Sequence, residues 1–236
     1  MPNIKQSDLD GIQNLMFKGE YREALTALDH LTQSSPNEAS LYVLGGSCFN
    51  AIDNFNQAIL CYEQAIKIKP DYAEAYYSLG ICLEEIDEID KSILNYNAAI
   101  KNKPDYAEAH NNLGNLFAHT SKPNKALLHF KKAIKNKPDY AEAHNNLGNL
   151  LKEQGKKDEA ILSYKKSIEL KPDSTMAYQN LASIYIELGQ MDEANKFSAL
   201  AQGRDKNFEK GLLMFENKNF TQAIKLFEQS KTPGSE

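Results

Sequence analysis

The stretch AIKNKPDYAEAHNNLGNL occupies residues 99–116 and returns, letter for letter, at 133–150, thirty-four residues later. A fixed offset of this length marks a structural unit that is stacked on itself. The same period organises the rest of the chain. Ala24, Ala58, Ser92, Ala126, Ala160 and Ala194 are each 34 apart. Leu79-Gly80, Leu113-Gly114 and Leu147-Gly148 keep that step, with Gly45-Gly46 and Leu181-Ala182 in the same slot on either side. Pro36, Pro70, Pro104, Pro138 and Pro172 are in register too. So are Tyr42, Tyr76 and Tyr178 in the first half of the unit, and Tyr62, Tyr96, Phe130 and Tyr164 in the second.

Each unit reads as two helices. In AEAHNNLGNLFAH, residues 107–119, His110, Leu113 and Phe117 share one face at about 100° per residue. In NKALLHFKKAI, residues 124–134, Leu127, Phe130 and Ile134 do the same. Between them, Ser121 is expected to cap the second helix and Pro123 to fit its first turn. Pro138 then closes that helix, because the residue before a proline is disfavoured in helical geometry. One such pair cannot bury its own apolar face, so neighbours must stack. The small residues, Gly80, Gly114, Gly148 and the alanines, let the helices approach closely.

An aromatic, Leu-Gly, a second aromatic, Ala, an aromatic and Pro within 34 residues resembles the tetratricopeptide repeat family, over about residues 5–231. The resemblance implies an all-α, right-handed superhelical solenoid of antiparallel helix pairs. It divides into about six to seven repeats, at about 5–38, 39–72, 73–106, 107–140, 141–174, 175–203 and 204–231, with 232–236 as a polar tail. The first repeat is degenerate: Ile12 stands where Gly is expected and Asp8 where an aromatic is expected, as in a capping unit. At the other end the step from Ala194 to Ala223 is 29 residues. This predicts a shortened connection, with Gly203 as a helix stop and Asp205 as a start. A last pair in KGLLMFENKNFTQAIKLFEQS would then leave Leu213, Phe220 and Phe227 on an uncovered flank.

The candidate site is built of asparagines. Asn112, Asn146 and Asn180 fill one slot in three successive repeats, Asn115 and Asn149 a slot one turn later, and Asn111 and Asn145 flank them. Asn112 and Asn115 lie away from the Leu113 face. By the resemblance, first helices line the concave side of the superhelix, which would set these residues along its groove. There they are similar to the asparagine ladder of O-linked N-acetylglucosamine transferase, whose amides bind the backbone of an extended peptide. An amide side chain carries both a donor and an acceptor, as a peptide unit does. Each such bond adds only about 0.5–1.5 kcal/mol, so three rungs fall short of the roughly 8 kcal/mol of micromolar binding and other groove groups must contribute. The bland alternative is that the asparagines brace or hydrate the surface. Glu74, Glu108 and Glu142 at helix starts oppose an acidic ligand and argue against a carboxylate clamp. A neutral or basic peptide is expected.

Other classes are poorly supported. The 236 residues carry a formal charge of −5, and only Arg22 and Arg204 supply guanidinium groups, which disfavours nucleic acid. Residues 107–174 hold twelve lysines and eight carboxylates, while the remainder holds 15 basic and 24 acidic groups. Lys131, Lys132, Lys165 and Lys166 fit a solvated outer face. No phosphate-cradling glycine loop or nucleophile–base spacing points to catalysis, and no cofactor is implied. His110 and His144 are expected between paired helices rather than on a metal. Cys48, Cys61 and Cys82 lack any CxxC spacing and fit small buried groups of a reducing, cytoplasmic compartment. No apolar run approaches the ~18 residues of a membrane span. The expected function is therefore a non-enzymatic scaffold that docks an extended segment. Two alternatives are the N-terminal scaffold of a longer glycosyltransferase, sulfotransferase or iron-dependent oxygenase, and self-assembly through the last helix pair.

Overall fold

The computed structural model describes residues 5–202. Among them every regular element is a helix: α1 (Gln6–Phe17), α2 (Tyr21–Ser34), α3 (Ala39–Ala51), α4 (Phe55–Ile68), α5 (Ala73–Glu85), α6 (Ile89–Asn102), α7 (Ala107–His119), α8 (Pro123–Asn136), α9 (Ala141–Glu153), α10 (Lys157–Leu170), α11 (Thr175–Glu187) and α12 (Met191–Gln202). Odd and even helices pair across turns too short for anything but an antiparallel return. Gly203, Asp205, the flank of Leu213, Phe220 and Phe227, the pair expected in 204–231 and the tail 232–236 lie outside the described residues.

The turn inside each pair rests on one backbone feature. Gly19, Asp53, Asp87, Ser121, Gly155 and Gly189, spaced by 34, all have positive φ, between 55° and 79°. The residue after each sends its N–H back to the helix end: Glu88 to Leu83 O at 2.8 Å, Lys122 to Phe117 O at 2.8 Å, Lys156 to Leu151 O at 2.9 Å. This is the Schellman closure, which satisfies carbonyls that a helix end otherwise leaves orphaned. It corrects the expectation for Ser121. At φ 55° this residue is the left-handed stop of α7, while Lys122 holds the N-cap of α8 with no side-chain cap. Pro123 does stand in the first turn of α8.

Close packing follows the other periodic slots. Ala24, Ala58, Ser92, Ala126, Ala160 and Ala194 are all buried. Tyrosine rings from second helices lie directly over first-helix glycines. A Cβ at Gly46, Gly80 or Gly148 would come within 2.6, 2.6 or 2.5 Å of Tyr62, Tyr96 or Tyr164. The glycines therefore make room for a ring rather than for a bare backbone. Where the glycine is missing the ring is missing too: Ile12 goes with Leu28, and Ala182 with Ser198, at the same 16-residue separation. Ile12 and Leu28 share one buried cluster.

Contacts divide the chain into two compact units, one ending at Leu116 and the other starting at Phe117. The first has its core along α1–α6, with Leu28, Leu41, Tyr62, Leu79 and Leu83 among its buried residues. The core of the second centres on Tyr164, Ile168, Tyr178, Leu181, Tyr185 and Phe197, with the Tyr185 and Phe197 rings stacked at 5.4 Å.

Candidate functional site

The first helices carry the asparagines, and the structure sorts them into two kinds. Asn112, Asn115, Asn146, Asn149 and Asn180 are half-buried. Asn111 is fully buried and Asn145 is 4% exposed. Neither of the last two offers a surface to a ligand, which corrects their expected place on the groove. The cause is visible for Asn145: it lies beneath α11, donating toward Met176 Sδ at 3.5 Å and accepting from Asn180 Nδ2 at 3.0 Å.

In the second unit three of the asparagines come together. Asn180 Nδ2 donates to Asn145 Oδ1 and to Asn149 Oδ1, both at 3.0 Å, spanning from α11 to α9. Tyr164 of α10 donates its hydroxyl to the same Asn149 Oδ1 at 2.7 Å. Burial pushes the Tyr164 phenol well above its usual range, and Glu153 and Glu187 push it further, so it stays protonated and able to donate. One turn on, Lys152 donates to Ser183 Oγ at 2.7 Å and pairs with Glu187 at 3.1 Å, while Lys157 reaches Glu187 at 3.0 Å.

In the first unit Asn112 meets a different environment. Its Nδ2 donates to Tyr96 OH at 3.2 Å and toward Tyr77 OH at 3.5 Å. Tyr96 in turn donates to Glu84 at 3.0 Å. The Tyr77 ring packs at a tilt against Tyr96 and Tyr106, with centroids 5.8 and 4.8 Å away. Sequence reasoning missed Tyr77, Tyr96 and Tyr164 as partners of the asparagines, and Glu84 as the partner of Tyr96. For Tyr96 and Tyr164 the signal was the aromatic slot itself, read only as packing.

The histidines have a definite structural task. His110 and His144 direct Nε2 to Pro104 O at 3.3 Å and Pro138 O at 3.1 Å, holding the loop that enters each repeat. Tyr42 does the same at Pro36 O, 3.1 Å. A carbonyl only accepts, so each ring presents an N–H there. Desolvation lowers the His144 pKa, so its neutral form is favoured. In the same loops Lys69, Lys103 and Lys137 sit 4.6, 4.5 and 4.7 Å over Tyr72, Tyr106 and Tyr140. Cys48, Cys61 and Cys82 are free thiols, and burial raises Cys48 and Cys82 to about 11. Among the described residues no three His, Cys, Asp or Glu side chains gather as a metal set, and no helix is long and apolar enough to cross a membrane.

Family models described as tetratricopeptide repeat match residues 141–174 and 163–194, and one described as TPR repeat matches 46–87, 85–120 and 122–155. Together they run from 46 to 194 with only residue 121 uncovered, well over half of the chain. The chain belongs to the tetratricopeptide repeat family. Among solved tetratricopeptide-type structures, MamA is 27% identical, with a TM-score of 0.62 over 68% of this chain and 94% of that one. A tetratricopeptide repeat protein from Parabacteroides merdae reaches 0.69 at 17% identity, over 98% and 93%. YrrB, described as a TPR protein with an unusual peptide-binding site, reaches 0.60 at 17% identity, over 86% and 98%. The last two likenesses carry the fold alone. No curated protein matches the chain in sequence. Tetratricopeptide membership supports a helical protein-interaction scaffold.

Proposed function

We propose that the chain docks an extended, neutral or basic segment against its first helices, with Asn112, Asn146 and Asn180 as backbone readers and Asn115 and Asn149 beside them. Asn111 and Asn145 stand behind as supports. The observation that carries this reading is the set of half-buried amides at one slot in consecutive repeats, of which Asn112 and Asn180 are tethered by hydrogen bonds to the preceding repeat. A tethered amide gives up little side-chain entropy when a ligand arrives, the cost that usually erodes a surface hydrogen bond. The likeness to the asparagine ladder of O-linked N-acetylglucosamine transferase supports the same reading. Glu84, which accepts from Tyr96 beside Asn112, supports a basic over an acidic segment.

The test is binding of the protein to an array of random-sequence peptides, beside an Asn112→Ala, Asn146→Ala, Asn180→Ala variant of unchanged helical content. Loss of most binding in the variant supports the reading. Equal binding sinks it and leaves the asparagines as braces.

A further inference from the structure

In the second unit the amides are not independent rungs. Asn180 has spent both Nδ2 hydrogens on Asn145 and Asn149, so it cannot also donate to a ligand carbonyl. Asn149 Oδ1 already accepts twice, from Tyr164 and Asn180. What is left is Asn180 Oδ1 and Asn149 Nδ2. Neither bonds to another described residue, and neither is among the buried atoms left without a partner, so both reach solvent.

We propose that Asn149 and Asn180 together read a single residue of the docked segment, one supplying the donor and the other the acceptor, and that Tyr164 and Asn145 are positioning residues that fix how this pair is turned. The inference rests on the peptide-docking function above. In an extended chain the N–H and C=O of one residue point to the same side, which is how two strands exchange a pair of bonds. The side chains of Asn149 and Asn180 are joined by a 3.0 Å hydrogen bond, so their outward groups come as neighbours. The pairing survives reversal of the amides. If Asn145, Asn149 and Asn180 were all turned over, Tyr164 would accept instead of donate, and the pair would still show one donor and one acceptor. Tyr164 itself is buried, with its ring over Gly148, so it acts only through Asn149.

The probe is the tightest peptide from the random array, made also as a series in which one backbone amide at a time is replaced by an ester. Tyr164→Phe keeps the ring over Gly148 and removes only the hydroxyl, so the thermal midpoint serves as the folding control. Expected are about a fivefold loss of affinity for the all-amide peptide in Tyr164→Phe, and one ester position that costs wild type about fivefold but costs Asn180→Ala nothing. Two results overturn the inference while leaving peptide docking intact: wild-type affinity in Tyr164→Phe, or an ester penalty that persists in Asn180→Ala. A wild-type protein that holds no peptide on the array overturns both.

Discussion

Asn112 and Asn146 come from the same eighteen-letter segment, yet the two compact units surround their shared slot with different chemistry. In the first unit Asn112 donates to phenol oxygens, and the relay runs through Tyr96 to the carboxylate of Glu84. In the second, Asn180 donates only to the amide oxygens of Asn145 and Asn149, and Asn149 accepts in turn from the Tyr164 hydroxyl. The residue aligned with Tyr96 one repeat later is Phe130, which has no hydroxyl to offer. In a repeat array, then, the slot sets where a side chain stands, and the preceding repeat sets what it can do. On the proposed docking function, the Glu84 carboxylate favours a cationic ligand group in the first unit, and the amides favour neutral backbone in the second.

Packing should be the one property on which the two units agree, and the largest effects test that. Tyr96→Ala and Tyr164→Ala each empty a fully buried ring site over a glycine. Each is expected to cost about 3–5 kcal/mol in urea unfolding; unequal losses would break the equivalence. Next come Gly80→Ala and Gly148→Ala, where the added Cβ would meet the tyrosine ring at 2.6 and 2.5 Å. A loss of about 1–3 kcal/mol is expected at each. A Tyr164→Ser change made in the Gly148→Ala background should relieve the clash, since Ala182 and Ser198 form that pair naturally.

The turns give a smaller and opposed pair. Asp87 and Gly155 share the left-handed position, at φ 61° and 75°. Asp87→Gly should raise stability and Gly155→Asp lower it, each by about 1 kcal/mol in the same unfolding measurement. The smallest effect separates the units by pH. Glu187 is held below its ordinary value of 4.5 by hydrogen bonds from Lys157 and Lys152. A depressed carboxylate contributes stability that is present above that value and lost as pH falls through its lower folded value. The thermal midpoint of wild type should therefore fall slightly more steeply below pH 4.5 than that of Glu187→Gln, a carboxyl side chain lying wholly in the second unit.

The periodic spacing was enough to read the helix pairs, because each slot has one physical demand. Ala126 has room only for a small side chain, and Pro138 stops a helix whatever surrounds it. Ser121 was misread because a Ser-Lys-Pro string taken alone looks like an N-cap. Set in the series Gly19, Asp53, Asp87, Ser121, Gly155 and Gly189, it belongs to the residues that tolerate positive φ. Asn111 and Asn145 were misplaced for a different reason. A helical wheel describes one helix against one core, whereas Asn145 is covered by Met176 and Asn180, 31 and 35 residues further on. The hydroxyl of Tyr164 escaped notice because its ring fully accounts for its place in the core.

The recurring left-handed turn also bears on how such a chain can change length. Among the described residues every pair closes through the same backbone turn, and each pair after the first opens through a proline loop. Within the array, the glycine and the ring it receives always lie 16 residues apart in one repeat. An exchange between the identical copies at 99–116 and 133–150 would insert or remove 34 residues without breaking any of these couplings. Such an exchange would move one whole helix pair, so the number of rungs can shift in one step while the rules of packing stay fixed.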